Sequence, residues 1–175
     1  MNTKTKKLST VSIVLCGMFA ALVAIGAFIQ IPVPYMDYFT LQFFFVLLAG
    51  LILGADKGAI SVGCYVLLGL VGVPIFAAGG GIGYIFRPSF GYLVGFIVSA
   101  YVTGKVCEKL KASYKNYLLA CLAGFVVTYA IGIVYKFIIL NFYAHTPATL
   151  GVIFLSCFPL DMPGDFVLCL LAAGT

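Results

Sequence analysis

The sequence predicts an all-α polytopic membrane protein, a bundle of six transmembrane helices with a cytoplasmic N-terminus. Three observations predict it. Of the 175 residues, 63% are hydrophobic and 9% charged, whereas a soluble domain carries about 25% charged residues. The apolar residues gather in six runs, and backbone groups in lipid must be satisfied within their own segment, so these runs are helices rather than open strands. The lysines fall on alternate connections, which orients the bundle. No linker rich in Pro, Ser or charge divides residues 1–175, which read as a single integral membrane domain in the cell membrane.

The expected spans are 8–31, 40–54, 58–75, 88–106, 117–140 and about 164 to the end. The first follows a basic start, "MNTKTKKL", like a signal peptide. Its apolar part from Leu8 to Ile31 exceeds the roughly 7–15 residues of a signal h-region, so it is retained as a span. The second and third are short and joined by "GADKG" at 54–58, a helical hairpin. The fourth opens at Pro88, a residue suited to a first helical turn. The fifth follows a lysine-rich connection. The last has 12 residues from Gly164, with Pro163 and Pro159 before it, against the about 20 needed to cross. The expectation is therefore either a final helix cut short by the end of the chain, the favoured reading, or a partial helix packed in the bundle.

With the N-terminus inside, Lys4, Lys6, Lys7, Lys57, Lys105, Lys109, Lys111 and Lys115, eight of the 10 Lys and Arg residues, lie on the inner side. Arg87 and Lys136 remain toward the outside, with Asp37, Asp161, Asp165 and His145. The net charge of +5 is thus spread over membrane connections and is no nucleic-acid surface. The six cysteines show no C-x-x-C spacing and read as packing residues. His145 has no partner at metal-ligand spacing and reads as a loop residue. There is no Walker A, H-E-x-x-H or nucleophile elbow, and "GGGIGY" lacks the strand and βαβ unit of a dinucleotide site. Neither a metal nor a cofactor is expected, and no enzymatic activity.

The outer groups are the candidate site. Arg87 comes six residues after Gly81 and directly before Pro88, which places it at the mouth of the fourth span, in its N-cap position. Helix N-termini favour anions, and a guanidinium receives a carboxylate in bidentate fashion. Gly79, Gly80 and Gly81 let backbone approach a ligand. Asp161 and Asp165 flank Pro163 and Gly164, which break the chain between them, so the two carboxylates need not share a helical face. Asp165 reads either as a helix cap or as an acceptor for ligand N–H groups. Lys136 lies seven residues after Tyr129, so both project to nearly one side, and Lys136 reads as snorkelling or as a pocket group. Gln42 is a lone amide opening the second span. On the first span, Gly17, Ala20, Ala21, Ala24 and Ala27 form a small-residue stripe, suited to close packing within the bundle or to docking another membrane subunit.

The stretch "PVPYMDYFTLQFFFVLLAGLILGADKGAISVGCYVLLGLVGVPIFAAGGGIGYIFRPSFGYLVGF", 32–96, with "PGD" at 163–165, resembles the BioY family, the biotin-specific substrate-binding (S) components of energy-coupling-factor transporters. The resemblance implies six membrane helices and high-affinity vitamin capture from outside. It also implies partners, a transmembrane coupling protein and two cytoplasmic ATPases. In S components an alanine-rich motif on the first helix docks the coupling protein, and Gly17, Ala20 and Ala24 match that pattern. Biotin has two ureido N–H donors, a carbonyl acceptor, apolar fused rings and a carboxylate tail. The resemblance therefore implies Asp165, with Asp161, as acceptors for the ureido N–H groups, and Arg87 toward either the carbonyl or the carboxylate. Gln42 and the backbone of Gly79 to Gly81 complete the polar contacts, with Tyr92 against the rings. The competing readings are an S component for another carboxylate-bearing vitamin, a stand-alone carrier, and an intramembrane enzyme using Asp161 and Asp165 as an acid/base pair.

Overall fold

The computed structural model describes residues 9–32, 38–144, 146, 148–157 and 161–175. Helix α1, Thr10–Phe28, starts at Ser9, whose Oγ accepts the Ser12 N–H at 3.2 Å and satisfies one of the free donors of the first turn. It stops short of the expected Ile31 because Pro32 disfavours helical backbone at the residue before it. The chain instead forms a small antiparallel hairpin, β1 (Gln30–Pro32) with β2 (Tyr38–Thr40), in register Gln30 opposite Thr40. Asp37, His145, Pro159 and the lysines Lys4, Lys6 and Lys7 lie outside the described residues.

Helix α2, Gln42–Leu53, and helix α3, Ala55–Val71, form the expected hairpin. The turn is tighter than the five residues expected. Gly54 alone makes it, with φ +80° and ψ 178°, a conformation open to glycine and strained for other residues. Gly54 has no side chain with which to cap α3. The Glu108 carboxylate reaches across from the fourth long helix and accepts the Ala55 N–H at 3.0 Å.

Helix α4, Phe90–Lys109, follows a short 3-10 helix, Ile82–Phe86. Helix α5, Tyr114–Ile138, continues as a π turn over Ile139–Tyr143. Small residues let α4 and α5 approach closely, as apolar helices in lipid require. A Cβ on Gly95 would sit 3.0 Å from the Thr128 carbonyl oxygen, and one on Gly132 would sit 2.5 Å from the ring of Tyr92.

The last span differs most from expectation. It is a pair, α6 (Leu150–Cys157) and α7 (Asp161–Ala173), bent by 51°. Pro163 does not block α7. It sits in the first turn, where its missing N–H has no intrahelical partner to lose. Gly164 brings this turn against the Phe39 ring of the hairpin. By length and composition α1, α4 and α5 with its π turn are each able to cross a membrane, and α6 with α7 makes a fourth, bent span. The shorter α2 and α3 complete the six membrane segments of a multi-pass protein.

Candidate functional site

The bundle has two chemically different ends. One holds Gly54, Lys57, the end of α4 with Lys105 and Lys109, and the start of α5 with Lys115. The other holds the hairpin, the 72–89 connection, the end of α5 and the start of α7. A cavity of about 90 Å³ lies at this second, lysine-poor end, well above the roughly 10–15 Å³ that one water needs. By the lysine distribution it is the outer end.

Six elements build the cavity. The hairpin and α2 supply Phe39, Thr40, Gln42 and Phe43; the 72–89 connection supplies Ala77, Tyr84 and Ser89. Helix α4 adds Tyr92, Leu93 and Phe96, α5 adds Tyr129 and Lys136, and α7 adds Asp161 and Asp165. Its wall is an aromatic chain. Phe43 stacks on Phe96 at 5.9 Å and meets Phe125 edge-on at 6.3 Å, Phe125 lies 4.7 Å from Tyr129, and Tyr129 lies 5.8 Å from Tyr92. Ring pairs at such separations prefer offset or edge-on geometry, which holds the wall in shape.

Several of the polar groups are held by partners. Tyr129 donates its hydroxyl to Asp165 Oδ2 at 2.8 Å. Because α7 runs unbroken through Pro163 and Gly164, Asp161 and Asp165 stand one turn apart and both reach the cavity. This corrects the expectation that the two carboxylates need not share a face. Gln42 Nε2 donates to Tyr65 Oη at 2.6 Å, and the Tyr65 hydroxyl donates to the Ile75 carbonyl at 3.1 Å. Thr40 donates to Gln42 Oε1 at 3.2 Å. The amide is thereby fixed between α2, α3 and the connection after α3. Tyr92 Oη lies 3.0 Å from Cys157 Sγ, tying α4 to α6.

Of the sequence candidates, Gln42, Tyr92, Tyr129, Lys136, Asp161 and Asp165 converge on the cavity. Arg87, Gly79, Gly80 and Gly81 do not line it. Arg87 is exposed, two residues before Ser89, the residue that occupies the N-cap position. Its guanidinium lies 5.3 Å from the centre of the Tyr84 ring, a cation–π distance, and Tyr84 rather than Arg87 lines the cavity. The backbone of the glycines is committed to the fold. Gly79 exchanges hydrogen bonds with Phe76 at 3.1 and 2.9 Å, and the Gly81 N–H binds the Gly69 carbonyl at 2.7 Å. Gly80 packs against the Val73 carbonyl. Gly80 leaves no room for a side chain against Val73 and α3, whereas Gly79 and Gly81 hold φ of +109° and +100°, a conformation that favours glycine.

The stripe on α1 is divided in the same way. Gly17 is exposed, with no atom within 4 Å of where a Cβ would stand, whereas Ala20 is 7% exposed and packed in the bundle, and Ala24 is half-buried. Sequence reasoning did not single out Phe39, Thr40, Phe43, Tyr84, Ser89, Leu93 or Phe96. For Ser89 a signal exists, a hydroxyl directly after a helix-opening proline; the aromatics look like any membrane-helix residues until packed.

The BioY family model matches residues 1–175. A protein of Lysinibacillus sphaericus described as a probable biotin transporter BioY is 40% identical over 169 residues, which are 96% of this chain and 86% of that protein. The biotin transporter BioY of Thermotoga maritima is 45% identical over 130 residues, 74% of this chain and 73% of its own. The crystal structure of the S-component for biotin from an ECF-type ABC transporter has the same fold, with a TM-score of 0.82 at 24% identity over 99% of this chain and 91% of that one. With the family model matched from end to end, the chain belongs to the BioY family.

Proposed function

We propose that this chain captures biotin at the outer face of the membrane as the S component of an energy-coupling-factor transporter. A transmembrane coupling protein and two cytoplasmic ATPases would then supply the energy. The observation that carries this reading is the convergence of Lys136, Asp161 and Asp165 on one aromatic-walled cavity at the lysine-poor end. A small ligand site is mostly apolar with a few placed polar groups. Biotin complements this set: apolar rings for the aromatic wall, N–H donors for the carboxylates, and a carboxylate for the ammonium. The relatives described as biotin transporters and the neighbour described as an S-component for biotin support the choice of ligand. Asp165, held by Tyr129, has a second carboxylate oxygen to offer a ureido N–H. On α1 the exposed Gly17 and Ala21 are the parts of the stripe available to a coupling protein, with the half-buried Ala24 at their edge.

Titration of the purified protein with biotin tests the reading. It predicts saturable one-to-one binding and biotin uptake by cells only when the coupling protein and ATPases are present. Absence of binding, or full uptake without those partners, overturns it.

A further inference from the structure

We infer that Ser89 is a specificity-determining residue of the cavity, whose hydroxyl hydrogen-bonds a polar atom of the captured molecule. This rests on the ligand-capture reading above and adds a residue to it. Ser89 occupies the N-cap position of α4, where a serine ordinarily turns its oxygen back onto an N–H of the first turn. Here it does not. Its backbone is already helical, φ −72° and ψ −17°, and its side chain makes no capping bond. The backbone is otherwise in order, with its carbonyl accepting the Tyr92 N–H at 3.1 Å.

The Ser89 Oγ is buried without a hydrogen-bond partner, although the residue lines the cavity. Three other hydroxyls on the lining are already used: Thr40 on Gln42, Tyr129 on Asp165, Tyr92 with Cys157. Ser99, Thr103 and Thr128 also lack partners, but none of them lines the cavity. A buried hydroxyl left unpaired is unfavourable. One that faces a ligand site gains its bond when the ligand arrives, so its whole benefit appears in binding. A molecule of the same shape without a polar atom at that point leaves the hydroxyl unpaired and is rejected, which is how a polar contact discriminates more sharply than apolar fit.

The test compares the purified parent with Ser89→Ala and Ser89→Thr, measuring biotin affinity by calorimetry and thermal unfolding with and without biotin. Ser89→Ala should bind biotin roughly tenfold more weakly and lose much of the biotin-induced rise in melting temperature. Its ligand-free melting temperature should stay at the parent value or rise slightly, because no protein–protein bond is removed and an unpaired buried hydroxyl is. Ser89→Thr, which keeps the hydroxyl, should bind close to the parent. If Ser89→Ala does not fold, Ser89→Cys, similar in size and a poor donor, should show the same loss of affinity. An alanine variant that binds like the parent overturns the inference and leaves biotin capture standing. So does one that melts earlier without ligand while keeping its affinity. A parent that fails to bind biotin removes both.

Discussion

Tyr129 on α5 donates a 2.8 Å hydrogen bond to Asp165 on α7, joining residues 36 positions apart at the cavity wall. The bond occupies Oδ2 and fixes the rotamer of the carboxylate, so the remaining oxygen is presented in one direction. We expect Asp165→Asn to weaken biotin binding by about ten- to a hundredfold, because a charged acceptor contributes about 1.5–3 kcal/mol and an amide can turn an N–H toward another N–H. Tyr129→Phe keeps the ring and frees the carboxylate, and should cost about tenfold. Calorimetry on both variants checks the order. Equal affinities for Asp165→Asn and the parent would sink the assignment of this carboxylate to the ligand.

Lys136 and Arg87 are the two outer cations, and only Lys136 lines the cavity. Lys136→Met should therefore reduce affinity for biotin more than for its uncharged methyl ester. Arg87→Met, outside the lining, should leave the ester unaffected and cost biotin a smaller factor, mainly by slowing its association at low salt. Stopped-flow binding at two salt concentrations separates the cases. A larger biotin-specific loss for Arg87 than for Lys136 contradicts this division.

Glu108 caps α3 from another helix, accepting the Ala55 N–H at 3.0 Å. Glu108→Ala leaves that end without its side-chain acceptor and should cost about 1 kcal/mol of stability. Lys105, paired with Glu108 at 3.4 Å with both side chains about half exposed, adds little, as exposed ion pairs do. Thermal unfolding should show a drop for Glu108→Ala, almost none for Lys105→Ala, and unchanged biotin affinity in both.

Gly132 and Gly17 make a contrasting pair. A Cβ on Gly132 would press on the Tyr92 ring, whereas one on Gly17 meets nothing within 4 Å. Gly132→Val should thus displace Tyr92 from the wall and reduce biotin binding about tenfold, since overpacking costs about 1–3 kcal/mol. Gly17→Val should bind biotin like the parent and lose uptake in cells with the complete transporter. Normal uptake by Gly17→Val would argue against this position as part of the docking surface.

How much was legible before folding follows from the range of each interaction. Asp165, Asp161, Gln42 and Lys136 stand out in sequence because a polar group in an apolar run needs a partner wherever the chain goes. Arg87 and the triple glycine stand out as strongly, yet the connection from 72 to 89 turns them to a cation–π contact and to backbone bonds with α3. Pro163 shows the same limit: its cost depends on whether it sits in a first turn or an interior, which the position of Asp161 as the first residue of α7 decides.

The sequence by itself determined the solvent of this protein, its helices and its orientation. Transfer of apolar side chains into lipid and attraction of lysines to the inner side are summed residue by residue and need no knowledge of neighbours. Only the tertiary structure decided which side chains meet. The Tyr129–Asp165 bond, the clamp of Tyr65 on Gln42 and the unpaired hydroxyl of Ser89 join or isolate groups on different helices. Their distances are set by how closely small residues allow those helices to pack.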